Sequence, residues 1–153
     1  MGIRSQTLTE FFKFNLEELE EYSIAVVELS LGSALITLDE FDTQILLSKS
    51  GEFFVASSLL TKIKTSKHIP SILTNLLKLH GLNLGVRTFL TDDSQIGIIA
   101  DDFSHDFNAV ELCTWLYQFQ FIANIALSIV SISNTSGEIL TQSAIETLFD
   151  EPN

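Results

Sequence analysis

The sequence predicts an α+β fold: a mostly antiparallel sheet of five to six strands, built around two hairpins and packed against a long central helix. Three observations predict it. Short runs from Ser23 onward are β-branched and alternate apolar with polar side chains, the period of a half-buried strand. The links between neighbouring runs are short, which favours antiparallel pairing with helices gathered on one face. The stretch NAVELCTWLYQFQFIANIALSIVSIS, Asn108 to Ser133, is apolar on nearly every side and would span roughly 35–40 Å as a helix.

The leading segment carries Thr7-Leu8-Thr9-Glu10, a capping-box pattern that opens a short helix with Phe11, Phe12 and Phe14. Asn15 is placed to cap a continuation, LEELEEY, as one bent helix or a second one; its glutamates read as a solvated face. IAVVELSL then alternates through Val27, Leu29 and Leu31, with a helix through Val26 as the competing assignment. Gly32-Ser33 marks a turn, and ALITLDE, TQILLSK and EFFVASSLL follow as strands. Ser50-Gly51 makes Thr43 to Ser58 a hairpin. Lys62, Lys64, Lys67 and His68 form a polar linker. Pro70 suits the first turn of a helix and Gly81 the C′ position that ends it. LNLGVRTFL and QIGIIAD form the second hairpin, Gly85 to Ala100, and the glycines at 85 and 97 mark a bulge or a close backbone approach. Asn108 and Glu111 are spaced as a capping box for the long helix. Asn134 to Gly137 breaks it, and a last amphipathic helix runs from Glu138 to Phe149.

Length and composition bound the rest. The 153 residues suit one domain, 1–153, with a real core. Hydrophobic residues make up 46% and mean hydropathy is +0.31, so a large core, a subunit contact or lipid must absorb the excess. Twenty acids against eight bases leave a net charge of −12. That disfavours nucleic acid and anionic membrane as partners, since both need clustered Lys and Arg, and favours basic or amphipathic protein partners. The single Cys113 lies in an apolar run, which fits a reducing, cytoplasmic setting. The N-terminal residues lack a continuous apolar segment and a small-residue cleavage site, so no signal peptide is expected. Gln6 stands where a myristoylation motif wants Ser or Thr.

The long helix has the length of a membrane span, but Glu111, Gln118, Gln120 and Asn124 interrupt it and no Lys or Arg flanks it; no span is expected. Glu111, Thr114 and Gln118 line one stripe, which continues through Phe121 or Ile122, Ile125 and Ile129. A polar face thus turns apolar halfway along. Either this is a core helix of one subunit, or the C-terminal helix or a second copy of the chain covers it. The expectation is a homodimer with Phe121, Ile122, Ile125 and Ile129 in the contact.

Chemistry is thinly signalled. Asp101-Asp102-Phe103-Ser104-His105-Asp106 offers carboxylates and an imidazole to a divalent metal, yet lacks the glycine and terminal glutamate of an EF-hand loop. Acids favoured by the positive end of the next helix explain it as well. Cys113 with His105 or His80 suggests a nucleophile only weakly, because a thiol between Leu112 and Trp115 is ordinary packing. The lysines at 62, 64 and 67 suit phosphate or an acidic partner, or simply water. No phosphate loop, nucleophile elbow, paired cysteine motif or zinc-protease motif occurs, and no cofactor is expected.

A leading helix, three antiparallel strands, a helix, a strand pair and a long final helix resemble type III secretion chaperone-like domains and bacterial YbjN-like proteins. The segment from Ala34 to Ser133 is also similar to YjfI-like bacterial proteins, with Ser50-Gly51-Glu52 in the first strand pair and Ser58-Leu59-Leu60 at its end. The strand near Val27 and the helix after Gly137 stand outside the chaperone pattern. The resemblance implies a small acidic cytosolic homodimer that binds protein or peptide clients along helix and sheet surfaces, with no catalytic residues to carry over. The expected function is therefore a non-enzymatic protein-binding or chaperone-like module. The alternative is a small metal-dependent or enzymatic protein using the Asp101–Asp106 loop.

Overall fold

A computed structural model describes residues 7–38, 44–50, 53–63, 66–82, 84–102 and 108–150. Helices α1 (Leu8–Phe14) and α2 (Leu16–Glu21) lead into strands β1 (Ile24–Ser30), β2 (Ser33–Leu38), β3 (Gln44–Ser50) and β4 (Phe53–Lys62). A 3-10 turn (Ser66–His68) then leads into α3 (Ile69–His80). Strands β5 (Val86–Leu90) and β6 (Gln95–Asp102) precede the long α4 (Ala109–Ser136) and the short α5 (Gln142–Leu148). The strands form one six-stranded sheet in the order β1-β2-β3-β4-β6-β5. All of its pairings are antiparallel, so the expected fold class is the observed one. Both hairpins are present, although Thr43 and the turn at Gly51-Glu52 lie outside the described residues.

The period-two pattern sets which face of the sheet is dry. Ile36, Ile45, Leu47, Ala56, Ile96 and Ile98 point inward and are buried. Leu8, Phe11 and Phe12 from α1 join the same core, as do Leu112, Leu116 and Phe119 from α4. Phe11 and Phe12 meet edge to face at 5.9 Å between centroids, the geometry that aromatic quadrupoles favour.

The helix caps follow the sequence. Thr7 accepts from the Glu10 backbone N–H at 3.1 Å, and Asn108 from that of Glu111 at 2.8 Å. Asn15 behaves differently from expectation. It marks a break between two helices, but its side chain donates to the Phe11 carbonyl at 2.9 Å and so closes α1 instead of opening α2. Gly81 also departs from expectation, ending α3 with a right-handed φ of −63°. The left-handed cap is at Gly137, with φ of 68°, so α4 runs through Asn134 to Ser136 before it stops.

The last helix begins later than the apolar pattern suggests, because residues 138–141 are held out of helix by hydrogen bonds from α3. Buried Asn75 of α3 is the clamp. Its amide donates to Ser133 Oγ at 2.7 Å and to the Glu138 carbonyl at 2.9 Å, and its oxygen accepts from the Leu140 N–H at 2.8 Å. Lys78 Nζ donates to the Leu140 carbonyl, and Ser71 Oγ to that of Gly137 at 2.8 Å. Helix α5 then starts at its own cap, Thr141, which accepts from the Ala144 N–H at 3.0 Å.

Candidate protein-binding groove

Strand β1 is one edge of the sheet. Its register slips between Val26 and Glu28, so Val27 is an extra residue in a bulge, a device that twists an edge and re-aims its side chains. Ser23 enters the strand with a φ of 64°, a left-handed backbone uncommon outside glycine. This turn sends the chain from α2 directly back along the sheet. Thr9 Oγ1 donates to the Ser30 carbonyl at 3.1 Å, tying α1 to the far end of β1.

Between these helices and the strand lies a groove of about 520 Å³, floored by Phe12, Leu16, Ile24, Ala25, Val26 and Leu29, with Lys13 and Glu20 at its rim. Phe14, at the end of α1, is 73% exposed. The glutamates at 17, 18, 20 and 21 all face solvent. An open strand edge, an apolar floor and an acidic border therefore share one end of the molecule. Sequence reasoning placed the acids and the phenylalanines but missed the groove. The only signal for it was the switch from helical to period-two spacing at Ser23.

The expected contact residues on α4 divide. Phe121 and Ile122 are half-buried and line a second, shallower groove of about 720 Å³ with Leu84, Tyr117 and Phe149. Phe149 meets Phe121 edge-on at 5.9 Å, so the C-terminal segment does fold back here. Ile125 and Ile129 are only 5% and 0% exposed within a single chain. Both belong to the common core, and α3 packs along α4. Ser133 lies one turn beyond Ile129 on the same helix face, and Asn75 of α3 bonds to it. These two isoleucines have no area left to give a partner.

The remaining candidates are dispersed. Asp101 is exposed, with Arg87 3.8 Å away; His105 and Asp106 lie outside the described residues. Among the described residues no three His, Cys, Asp or Glu side chains gather. Cys113 Sγ is 4.0 Å from the Tyr22 carbonyl, and burial pushes its thiol up, away from the reactive thiolate. His80 Nε2 accepts from the Thr88 N–H at 2.9 Å, with Thr88 Oγ1 at 2.8 Å; burial holds the ring below its usual value. Lys62 ends β4 and Lys67 sits in the 3-10 turn, while Lys64 lies outside the described residues. Helix α4 is long and apolar enough to cross a bilayer by length and composition, but half of its most apolar window is buried in protein.

No family model matches the chain, and no curated protein does. Solved structures do. The fold is similar to that of YbjN from E. coli, provisionally described as a transcription regulator, with a TM-score of 0.58 at 12% identity over 89% of this chain and 100% of that one. Two chaperones also align, the first of them a type III secretion chaperone. One is SycH of Yersinia pestis, solved with a fragment of YscM2, at TM-score 0.49, 19% identity, and 76% and 96% of the two chains. The other is SchA, solved with HopA1, at TM-score 0.48, 15% identity, and 76% and 93% of the two chains. At these identities the likeness is one of fold.

Proposed function

We propose that this chain is a non-enzymatic, chaperone-like protein-binding module that works as a homodimer in the cytoplasm. Its client is an extended protein segment that adds to the open edge of β1 and drops apolar side chains into the adjacent groove. The observation that carries this reading is the groove itself: an apolar floor beside a strand that pairs with β2 alone among the described strands. Backbone pairing would supply affinity, and alternate side-chain pockets would supply specificity. The exposed glutamates of α2 would favour segments that interleave Lys or Arg with apolar residues.

The test is fluorescence anisotropy with labelled extended peptides that alternate apolar with basic or with acidic residues. Binding of the basic series, its loss in Leu16→Glu, and slowed amide exchange in β1 are the expected results. Equal binding of basic and acidic peptides, or protection confined to α4, would overturn the reading.

A further inference from the structure

The outward face of the sheet carries a row of residues that is its own complement. The strand registers place Glu28 opposite Leu35, Leu35 opposite Leu46, Leu46 opposite Ser57, Ser57 opposite Ile99, and Ile99 opposite Arg87. One line thus crosses all six strands, with an acid at one margin, a base at the other and no charge between. The helical core lies on the opposite face, and outward Leu46 and Leu59 are 42% and 54% exposed. An antiparallel sheet with one wet face normally alternates polar residues onto it; the centre of this face is largely aliphatic. Next to the row, the β3–β4 pairing stops at Leu46 and Ser57, and Ser58 Oγ takes the Gln44 carbonyl at 2.6 Å. The parting leaves a recess of about 710 Å³, walled by Leu59, Leu60, Phe89 and Leu127. The ring of Phe89 lies over Gly97, where an added Cβ would come within 2.2 Å of it.

We infer that a second copy of this chain covers the face, related by a two-fold axis parallel to the strands. This inference rests on the homodimer part of the proposed function and supplies its contact. Turning the sheet about such an axis reverses the row. Glu28 then faces the other copy's arginine, Leu35 its isoleucine, and Leu46 its serine, each contact occurring twice, as an isologous interface requires. Charge favours a second copy over a basic client here. Two chains of net charge −12 can approach closely only where acids are sparse, and this face holds few: Glu28 at one margin and, at the other, Asp101, which lies 3.8 Å from Arg87. Size agrees as well. Six strands about 4.8 Å apart and about six residues long make a face of about 24 by 20 Å. That is roughly 480 Å² in projection, before side-chain relief, or more than half of the roughly 800 Å² per partner that a standard interface buries.

Sedimentation equilibrium of the full chain tests this, with peptide binding at the β1 groove as a parallel readout. The parent should be dimeric, and Leu46→Asp should weaken the dimer on the order of a hundredfold while leaving peptide binding intact. Glu28→Arg and Arg87→Glu should each weaken it roughly tenfold, and the double reversal should restore it. A monomeric parent would overturn both this face and the homodimer. A dimer unaffected by Leu46→Asp but broken by Ile122→Glu would overturn this face alone and move the contact to α4. Failure of the double reversal to rescue would overturn the two-fold arrangement. Loss of peptide binding with the dimer intact would count against the client groove only.

Discussion

Asn75 is the residue on which the C-terminal quarter of the chain depends most directly. It is fully buried and uses both ends of its amide on three partners in α4 and the segment after it. Asn75→Ala leaves the part-buried Glu138 carbonyl and the buried Leu140 N–H without their partner, at a cost of up to about 1–3 kcal/mol each. We expect a loss of about 3 kcal/mol in urea unfolding, with fastest amide exchange at Leu140. His80 gives a pH dependence of definite sign. Its folded value is lowered by burial, so the unfolded chain binds the proton more readily. The stability it contributes is fully present above the unfolded imidazole range, about pH 6.5. It is lost as the pH falls through the lowered folded value. Unfolding titrations between pH 8 and 5 should show this decline, and His80→Ala should flatten it. Neither role was visible in the sequence. Asn75 sits among leucines with nothing local to mark it, because its partners are 58 to 65 residues away.

At the scale of elements, what was legible was what is local. Helix starts at Thr7 and Asn108 depend on contacts three residues apart, and strand polarity depends on the next residue but one. What was not legible was which neighbour covers a helix face. The apolar stripe of α4 suggests a contact between copies, but Ile125 and Ile129 belong to the core of one chain, and the packing of α3 along α4 is a long-range contact that periodicity cannot reveal. The difference is measurable. Ile125→Glu should destabilise the fold by about 4 kcal/mol or more, since it places a carboxylate in the core, whereas Ile122→Glu should change stability by less than about 1 kcal/mol. Melting curves separate the two. Gly137→Ala should also be costly, because it combines a φ of 68° with a Cβ 2.6 Å from the His68 ring; about 2 kcal/mol is expected.

For the whole molecule, charge and hydropathy point to different surfaces. The acids around α2 border the groove, and the aliphatic excess that could not be placed from sequence is shared between the core and the outward sheet face. Basic peptides bound at the groove should therefore dissociate as salt rises. From 50 to 500 mM sodium chloride we expect affinity to fall roughly tenfold, since the Debye length shrinks below the spacing of exposed charges. Association of the two copies, largely apolar, should change far less over the same range.

The two edges of the sheet are not alike. At the middle of β5 the outward Thr88 N–H is already taken by His80, whereas β1 is flanked by an open groove. A sheet with two receptive edges is a monomer in the polymer chemist's sense: each addition creates a new place to add, and the product is a fibre. With one edge stoppered by its own imidazole, the sheet is a chain terminator. On the proposed reading it would accept one strand and stop, so a protein that pairs with extended segments would avoid polymerising with itself.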